Sequence, residues 1–356
     1  MESWPLFALI AIFAGAAAAV WVAGIQLSNT TDVLSQRLHL GQALGGLVLL
    51  AIATNLPEIA ITASAALAHN LGLAVGNILG GIALQTVVLA VVDLFGLGRA
   101  APLTYRAASL SLVLEATLVV AVLVVVVMGT QLPASLILAR VAPGGIAVTT
   151  LWVLGLWLIG RARAGLPWHE AGNAPGGQSE PQGHARSAAD QQAREQGHGL
   201  ARNASVFAAA AVVTLIGGVV LERSGEGIAT HIGMTGVIFG ATILAAATSL
   251  PEVSTGLASA KLGDFKLAVS DIFGGNAFLP VLFLLASLLS GQAVLPSAHA
   301  SDIYLTGLGA LLTAVYITGL IFRPRRQIAR MGLDSAVVVG VYAIGLLGLI
   351  AIPRAG

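Results

Sequence analysis

A six-residue stretch in the first half of the chain recurs in the second half. Ala-Thr-Asn-Leu-Pro-Glu at 53–58 is matched by Ala-Thr-Ser-Leu-Pro-Glu at 247–252, which lies 194 positions later. Aligned without a gap, residues 54–81 and 248–275 are identical at 11 of 28 positions, and the identities include a Thr, a Pro, a Glu and a Gly-Gly pair. The chain therefore contains an internal repeat, and its fold must place two copies of this stretch in related positions.

Both copies lie in strongly apolar surroundings. The chain is 57% hydrophobic and only 9% charged, whereas soluble domains are about 25% charged. We therefore predict an all-α polytopic membrane protein. The first residues carry no Lys or Arg before a long apolar run, so we expect a retained first span rather than a signal peptide. The absence of Cys excludes disulfides and thiolate metal sites.

Ten segments are long enough to cross about 30 Å of hydrocarbon. They are residues 4–26, 42–68, 71–95, 107–129, 132–159, 204–222, 235–260, 265–290, 302–322 and 333–353. These segments predict a first five-helix half at 1–160 and a second at 204–356. The polar segment 161–203 between them is rich in Gly, Gln and Pro, which is typical of a flexible linker. Its irregularly spaced histidines, His169, His184 and His198, are interpreted as part of this linker.

The basic residues predict how the chain is oriented in the membrane. The loops after the odd-numbered spans hold 14 of the 17 Lys and Arg residues, so these loops and the linker are expected to be cytoplasmic and both termini outside. Five spans separate the two copies of the repeat, and an odd number inverts the second half. Two inverted five-helix repeats are typical of secondary transporters, whose sites lie at the midplane. The short loops favour a prokaryotic inner membrane.

The repeated stretch carries the residues of a candidate cation site. Glu58 and Glu252 fall near mid-membrane, where a charge costs about 3 kcal/mol on insertion scales, and the Pro before each Glu frees a backbone carbonyl one turn earlier. Further oxygens are offered by the neighbours Thr54, Asn55, Thr248 and Ser249. An oxygen-only set with two carboxylates suits Ca²⁺. For either Glu alone, a protonated carboxyl in a helix–helix hydrogen bond is the alternative.

The segments after each copy add further candidates. Gly72, Gly76 and Gly80 recur every fourth residue, which lets helix backbones approach. The Gly-Gly pairs at 80–81 and 274–275 are considered as points where the helices unwind. Asn77 and its counterpart Asp271 are candidate ligands, and Asp271 would be a third carboxylate, with a cavity wall or a backbone hydrogen bond as the alternative. Glu115, Asp93 and Arg140 lie outside the repeat and are expected to form an internal ion pair.

At these residues the sequence resembles a known family. Ala-Thr-x-Leu-Pro-Glu, followed about twenty residues later by Gly-Asn-Ile-Leu-Gly-Gly, resembles the alpha-repeat of the cation/calcium antiporter superfamily, the sodium/calcium exchangers and their relatives. The ten spans and inverted halves agree with that family. The resemblance implies that Glu58 and Glu252 are the central Ca²⁺ carboxylates, with Thr54 and Thr248 beside them. It also implies that Asn55 and Ser249 match positions that help to hold Na⁺ in the sodium-coupled members.

The sequence departs from the sodium-coupled members at several of these positions. Gly81 and Gly275 stand where those members typically have Ser, and Gln85 and Leu279 stand where they have Asn or Asp. Ser270-Asp271 replaces the usual Gly-Asn. Several side-chain Na⁺ ligands are therefore missing. Proton coupling is a physical alternative, because H⁺ can compete with a cation for the same buried carboxylates.

Together these features predict a secondary active antiporter that moves Ca²⁺ in exchange for Na⁺ or H⁺ by alternating access, with the first and sixth spans moving. We expect no cofactor, and only inorganic cations and the lipid bilayer, not nucleic acid, as partners. The alternatives are transport of Mg²⁺ or Na⁺/H⁺, a homologue that no longer transports, and a membrane-embedded enzyme that uses Glu as acid or base. No HExxH or GxSxG motif and no soluble catalytic domain is present, which argues against the enzyme.

Overall fold

The chain is helical almost throughout its described length. The computed structural model describes residues 4–37, 51–97, 101–107, 109–165, 167 and 200–352. The first half contains α1 (Leu6–Arg37), α2 (Leu56–Leu67), α3 (Leu71–Gly96), α4 (Leu103–Ala107), α5 (Leu110–Thr130) and α6 (Pro143–Ala164). The second half contains α7 (Leu200–Ile232), α8 (Gly236–Thr248), α9 (Leu250–Lys261), α10 (Phe265–Phe278), α11 (Leu282–Ser290), α12 (Ala300–Phe322) and α13 (Leu333–Ala351), with a hairpin of β1 (Gln327–Ile328) and β2 (Met331–Gly332).

The membrane-spanning segments confirm the expected all-α polytopic fold. In the described ranges, eight segments are long and apolar enough to cross a membrane, and α8 with α9 forms a ninth that is bent by 43°. Residues 265–290 count as one span, made of α10 and α11. The predicted second span begins at 42, and residues 38–50 lie outside the described residues, as does 168–199 of the predicted linker. The linker therefore stays a prediction.

The repeat extends well beyond the matched sequence. α2 and α9 are both 12 residues long and begin 194 positions apart. α3 and the 265–290 span are both 26 residues long and keep the same interval. The turns also correspond, since His69 and Gly263 adopt positive φ angles of 59° and 81° after α2 and α9. Equivalent helix ends in chemically different sequences show that the two halves share one backbone design.

A second pair of equivalent turns precedes the last span of each half. In the hairpin of β1 and β2, Ala329 and Arg330 have φ angles of 50° and 73°, while Ala139 and Arg140, in the turn closed by the Leu138–Val141 bridge, have 51° and 65°. Two consecutive positive φ angles are typical of the tight turn of a two-residue hairpin. The interval here is 190 positions, so the second half is four residues shorter between its motif and this turn.

These turns correct one expectation about charged residues. Arg140 does not lie inside the fifth span, because α6 begins only at Pro143. Its side chain is exposed and donates to the Leu288 carbonyl at 3.5 Å. Asp93 is not held in an ion pair with it. The Asp93 carboxylate instead accepts hydrogen bonds from the Leu103 amide, the Gly332 amide and the Ser335 hydroxyl at 2.6–2.8 Å, and so anchors two loops to α3.

The helices are divided between a buried bundle and a peripheral pair. The main apolar core joins α3, α5, α10 and α12 through residues such as Ile82, Val119, Phe273 and Leu312. α1 and α7 pack against each other outside this bundle. In each of them only 28% of the most apolar 18-residue window is buried, compared with 72% in α3. α1 and α7 are therefore weakly enclosed by the rest of the protein, as are α6 and α13, although α1 contacts α9 and α7 contacts α2.

The glycines of α3 place its backbone directly against α8. A Cβ atom on Gly76 would lie 2.5 Å from the Val237 carbonyl oxygen, and one on Gly80 would overlap Ala241. On the other side of the contact, a Cβ on Gly240 would lie 2.8 Å from the Leu73 carbonyl oxygen, where α8 contains a π turn. The expected packing role of this stripe is confirmed. The expected unwinding is wrong, because α3 and α10 stay helical through both Gly-Gly pairs.

Candidate cation site

The helix breaks fall at the centre of the repeated stretch. Asn55 and Ser249 are the single residues between two helical segments in each half, with ψ angles of 14° and 0°. Pro57 and Pro251 follow at the second position of α2 and α9. Because Pro has no amide hydrogen, the helical bond to the carbonyl four residues earlier is lost and the helix restarts there. The carbonyls that this frees are those of Ala53 and Ala247.

Each Glu of the motif lies in the first turn of the helix that restarts. Glu58 and Glu252 are third in α2 and α9, and their side chains are 0% and 2% exposed. The N-terminus of a helix carries a partial positive charge that stabilises a carboxylate in its first turn. The preceding segment ends with its free carbonyls at the same break. Such breaks are typical of ion sites in transporters, since they bring carboxylates and carbonyls to one place.

The polar side chains beside each Glu are bound to the turn before them. The Asn55 amide nitrogen and the Thr54 hydroxyl donate to the Ala51 carbonyl at 2.6 and 3.4 Å. In the other half, the hydroxyls of Ser249 and Thr248 donate to the Ala245 carbonyl at 2.8 and 3.2 Å. A hydroxyl has one hydrogen and two lone pairs. With their hydrogens used in this way, the hydroxyls of Thr248 and Ser249 and the Asn55 side-chain oxygen can coordinate a cation through their lone pairs.

The two halves meet at the carboxylates. The Thr248 hydroxyl from the second half lies beside the Glu58 carboxylate from the first. Glu252 interacts electrostatically with both Glu58 and Asp271. Neither carboxylate oxygen of Glu252 accepts a hydrogen bond from another residue in the described part of the chain. The structure thus brings together Glu58, Glu252, Thr248 and Asp271, and it leaves two acceptor oxygens of Glu252 for a ligand.

Asp271 and Asn77 occupy corresponding positions but differ in their surroundings. The Asp271 carboxylate is 6% exposed and accepts a hydrogen bond from the Thr255 hydroxyl at 3.0 Å, which fixes one of its oxygens. The Asn77 side chain is fully buried and has no hydrogen-bond partner within the described ranges. Among the described residues, no group of three or more His, Asp or Glu side chains has metal-site spacing. A cation here would therefore also need the hydroxyl and carbonyl oxygens.

Three residues of this region were not predicted as part of the site. Gln85 donates from its side-chain nitrogen to Glu58 at 3.4 Å. Asn276 of α10 donates to the Thr86 hydroxyl of α3 at 3.1 Å and so joins the two repeats. Thr255 orients Asp271. A sequence signal existed for Gln85, because Asn77, Gly81 and Gln85 recur every fourth residue and therefore share one face of α3.

The fold and the site define an integral membrane protein of the inverted-repeat transporter class, with buried carboxylates paired across the two halves. A family model described as "Sodium/calcium exchanger protein" matches residues 8–161 and 203–351, which is most of the chain. The chain belongs to this family of exchangers. The proteins of the family are cation antiporters and not enzymes, so the alternative of a membrane-embedded enzyme is set aside.

Individual relatives agree with this assignment. The inner membrane protein YrbG of Escherichia coli (strain K12) is 27% identical over 264 residues, which are 72% of each chain. The crystal structure of the H⁺/Ca²⁺ exchanger CAX matches with a TM-score of 0.68 at 11% identity, over 97% of this chain and 82% of that one. The sodium-calcium exchanger NCX_Mj, soaked with Na⁺ and Sr²⁺, matches with a TM-score of 0.56 at 14% identity, over 98% and 100% of the two chains. The two structures share the fold of this chain.

Proposed function

We propose that the protein exchanges Ca²⁺ for protons by alternating access at a midplane site formed by Glu58 and Glu252. The observation that carries this proposal is the pair of buried carboxylates, one from each half, at two equivalent helix breaks. Their two negative charges balance a divalent cation. Thr54, Asn55, Thr248 and Ser249, together with the freed carbonyls of the breaks, supply the remaining oxygens of the six to eight that Ca²⁺ takes.

Asp271 is proposed as a third carboxylate of the site, associated with Glu252 rather than with Glu58. Its hydrogen bond from Thr255 fixes one oxygen, and its electrostatic interaction with Glu252 adds negative charge on the side of the second half. Asn77 is proposed as a more distant, neutral counterpart in the first half. A cation at the midplane is then attracted more strongly toward the second half.

The choice of protons over sodium rests on the residues around Glu58. Gln85 directs its side-chain nitrogen, which cannot coordinate a cation, toward Glu58 at 3.4 Å, so only its side-chain oxygen remains as a ligand. At the counterpart position Leu279 is completely buried and offers no oxygen, and Gly81 and Gly275 offer no side chain. Unlike Na⁺, a proton needs no ligand other than the carboxylate to which it binds. The fold similarity to an H⁺/Ca²⁺ exchanger supports this choice, while the similarity to a sodium-calcium exchanger makes Na⁺ the ion to test against it.

α1 and α7 are proposed as the moving spans. Each of these helices crosses the helix break of the other half, α1 near Pro251 and α7 near Pro57, and has a glycine at the contact. A Cβ on Gly24 of α1 would lie 2.5 Å from the Pro251 side chain, and one on Gly218 of α7 would lie 2.7 Å from Ala60 and 2.9 Å from the Pro57 carbonyl oxygen. Movement of these two weakly enclosed helices along the breaks would expose the site to one side of the membrane and then the other. Following the positive-inside rule, we place both termini outside and the linker in the cytoplasm of a prokaryotic cell.

The test is Ca²⁺ uptake into proteoliposomes under an imposed outward H⁺ gradient, with an outward Na⁺ gradient in parallel. We expect uptake with H⁺ and little with Na⁺. Equal or faster uptake with Na⁺ would assign the coupling to sodium instead. If neither gradient moves Ca²⁺, the substrate assignment is wrong, and Mg²⁺ and Na⁺/H⁺ exchange are tested next.

Two variants test the site within the same assay. Glu58→Gln and Glu252→Gln should each abolish uptake while the protein stays folded, as judged by gel filtration and thermal unfolding. The matched control is Asp302→Asn, a buried acid at the start of α12 that accepts a hydrogen bond from the His299 amide, which Asn can also accept. Wild-type uptake in either Glu variant would remove the site assignment.

A further inference from the structure

Two acidic residues on α7 lie against α2, outside the midplane site. Glu222 and Glu226 are one helical turn apart. The Ser64 hydroxyl donates to Oε2 of Glu222 at 2.9 Å, and the Asn70 side-chain nitrogen donates to Oε1 of Glu226 at 2.7 Å. Both partners belong to α2 or to the turn after it, so the acids lie along the contact between the moving helix and the helix that carries Glu58.

The Glu222 side chain is buried and does not form a solvent-exposed surface charge. It is 1% exposed, and its Oε1 oxygen has no hydrogen-bond partner in the part of the chain that the structure describes. It interacts unfavourably with the carboxylate of Glu226, which is only partly buried. Arg223 offsets some of this charge, but its own side chain is exposed. A buried carboxylate oxygen beside a second carboxylate is stabilised by a bound cation.

The pair lies on one route from the membrane surface to the midplane. Ser64 is six residues beyond Glu58 in the same helix, a rise of about 9 Å. Farther along, Asn70 lines a cavity of about 260 Å³ together with Thr235, His299 and Ser301. This end of the molecule is opposite the Arg-rich loop 323–330, so the positive-inside rule places it on the outer side. The acids therefore lie between an outer cavity and Glu58.

The inner side has no equivalent pair in its sequence. The positions 194 residues earlier than Glu222 and Glu226 are Ser28 and Asp32, and the counterpart of Ser64 is Ala258. The repeat thus supplies a buried Glu with a hydroxyl partner on one side only. An acid that served only to join two helices would be equally useful on both sides, whereas a site for an arriving or departing ion can be specific to one side.

We propose that Glu222 and Glu226 form a second divalent-cation site on the outer side, which holds Ca²⁺ between the outer cavity and the Glu58–Glu252 pair. The inference rests on the proposed Ca²⁺ transport. Oε1 of Glu222 and the second oxygen of Glu226 are the ligands, and water from the cavity completes the shell. Ca²⁺ tolerates such irregular coordination. With two carboxylates the site is weak, and we expect a Kd of about 0.1–1 mM, as in extracellular Ca²⁺ modules.

The first test measures binding without transport. In a Glu58→Gln, Glu252→Gln double variant, equilibrium dialysis with radioactive Ca²⁺ should still detect about one ion per chain, and adding Glu222→Gln should weaken this binding about tenfold or more. Absence of binding in the double variant, or binding that Glu222→Gln leaves unchanged, would overturn the proposal. Because this assay uses a variant whose midplane site is removed, its result is independent of whether the wild-type protein exchanges Ca²⁺ for H⁺.

The second test separates a cation site from a simple helix contact. Ser64→Ala removes the hydrogen bond between α2 and α7 but keeps both carboxylates, and should change the Ca²⁺ Kd by less than about threefold. In proteoliposomes, Glu222→Gln should raise the apparent KM for Ca²⁺ at the outer face several-fold with little change in maximal rate. If Ser64→Ala and Glu222→Gln instead lower the maximal rate equally and leave KM unchanged, the acids only join the helices.

Discussion

The two halves of the site share a backbone but differ in the chemistry around their carboxylates. Glu58 is in contact with a nitrogen donor, Gln85, and with the Thr248 hydroxyl. Glu252 is in contact with no such donor from another described residue and instead interacts with a further acid, Asp271. The Glu58 carboxylate therefore has polar side chains from both halves beside it, while the Glu252 carboxylate lies beside further negative charge, which a bound cation or a proton would offset.

This difference shows what an inverted repeat conserves. Both halves have the helix breaks, the Pro-Glu pair and the turns at corresponding positions, because these features determine the path of the backbone. The residues at 85 and 279, or at 77 and 271, are free to differ because they act only through side chains. A symmetrical fold can thus hold two carboxylates with different surroundings, and under the proposed function Glu252 is the main cation ligand of the two.

The largest expected effect comes from the second-half carboxylate. Glu252→Gln should lower Ca²⁺ flux by about 100-fold or more, because it removes the less compensated charge of the pair. It should also abolish the rise in melting temperature that Ca²⁺ produces in detergent by binding the native state. Glu58→Gln should retain a small Ca²⁺-dependent shift. If the shift survives in Glu252→Gln and disappears in Glu58→Gln, the assignment of the two roles is reversed.

The helix contacts should behave alike in the two halves, in contrast to the carboxylates. Gly24→Ala and Gly218→Ala each insert a methyl group into a proline-bearing break and should destabilise the protein by about 1–3 kcal/mol, as overpacking does. Thermal unfolding in detergent measures this. Gly15→Ala, on the same helix as Gly24, is the matched control, because a Cβ atom at Gly15 would have no atom of another element within 4 Å. Loss of stability in only one of the two variants would contradict the equivalence of α1 and α7.

Substitutions at Gln85 and at its counterpart Leu279 test whether the two halves differ in function. Gln85→Leu places the second-half residue in the first half and removes the donor to Glu58. We expect Ca²⁺ flux to change by about tenfold, which corresponds to the free energy of one hydrogen bond to a charged group. Leu279→Gln should have a smaller effect. The readout is the dependence of flux on pH, since removal of the donor leaves Glu58 to be stabilised by a proton or a cation. Identical pH profiles in wild type and Gln85→Leu would show that Gln85 does not act through Glu58.

The smallest effect is expected in the equivalent turns. Ala329→Gly relieves a positive φ angle that a Cβ atom disfavours and should stabilise the protein by about 1 kcal/mol or less. Ala139→Gly should do the same in the first half. Chemical unfolding in detergent compares the two. A clear loss of stability in either variant would mean that tertiary contacts of the Ala methyl group, rather than backbone conformation, dominate the turn.

The sequence predicted the elements that depend on local chemistry. The spans other than the second, the Pro-Glu breaks, the glycine contact of α3 and the inverted layout all followed from residue type and spacing. The choice of Glu58 and Glu252 as site residues remains a prediction, as do the coupling ion and the orientation. Gln85, Thr255 and the acids of α7 were not identified as partners, because their roles depend on which helices become neighbours. Arg140 was misplaced because hydropathy does not show where a turn with positive φ angles ends one span.

The direct contact between the backbones of α3 and α8 has a consequence for ion leakage. An exchanger in an energised membrane must not conduct protons, and a chain of water molecules along a helix interface would do so. Where Gly76 and Gly80 meet Gly240 and Ala241, even a methyl group does not fit, and no file of water can form. The glycine stripe thus closes this interface to water and leaves the helix breaks before α2 and α9 as the polar route, which the proposed exchange requires if protons are to cross only when bound to a carboxylate.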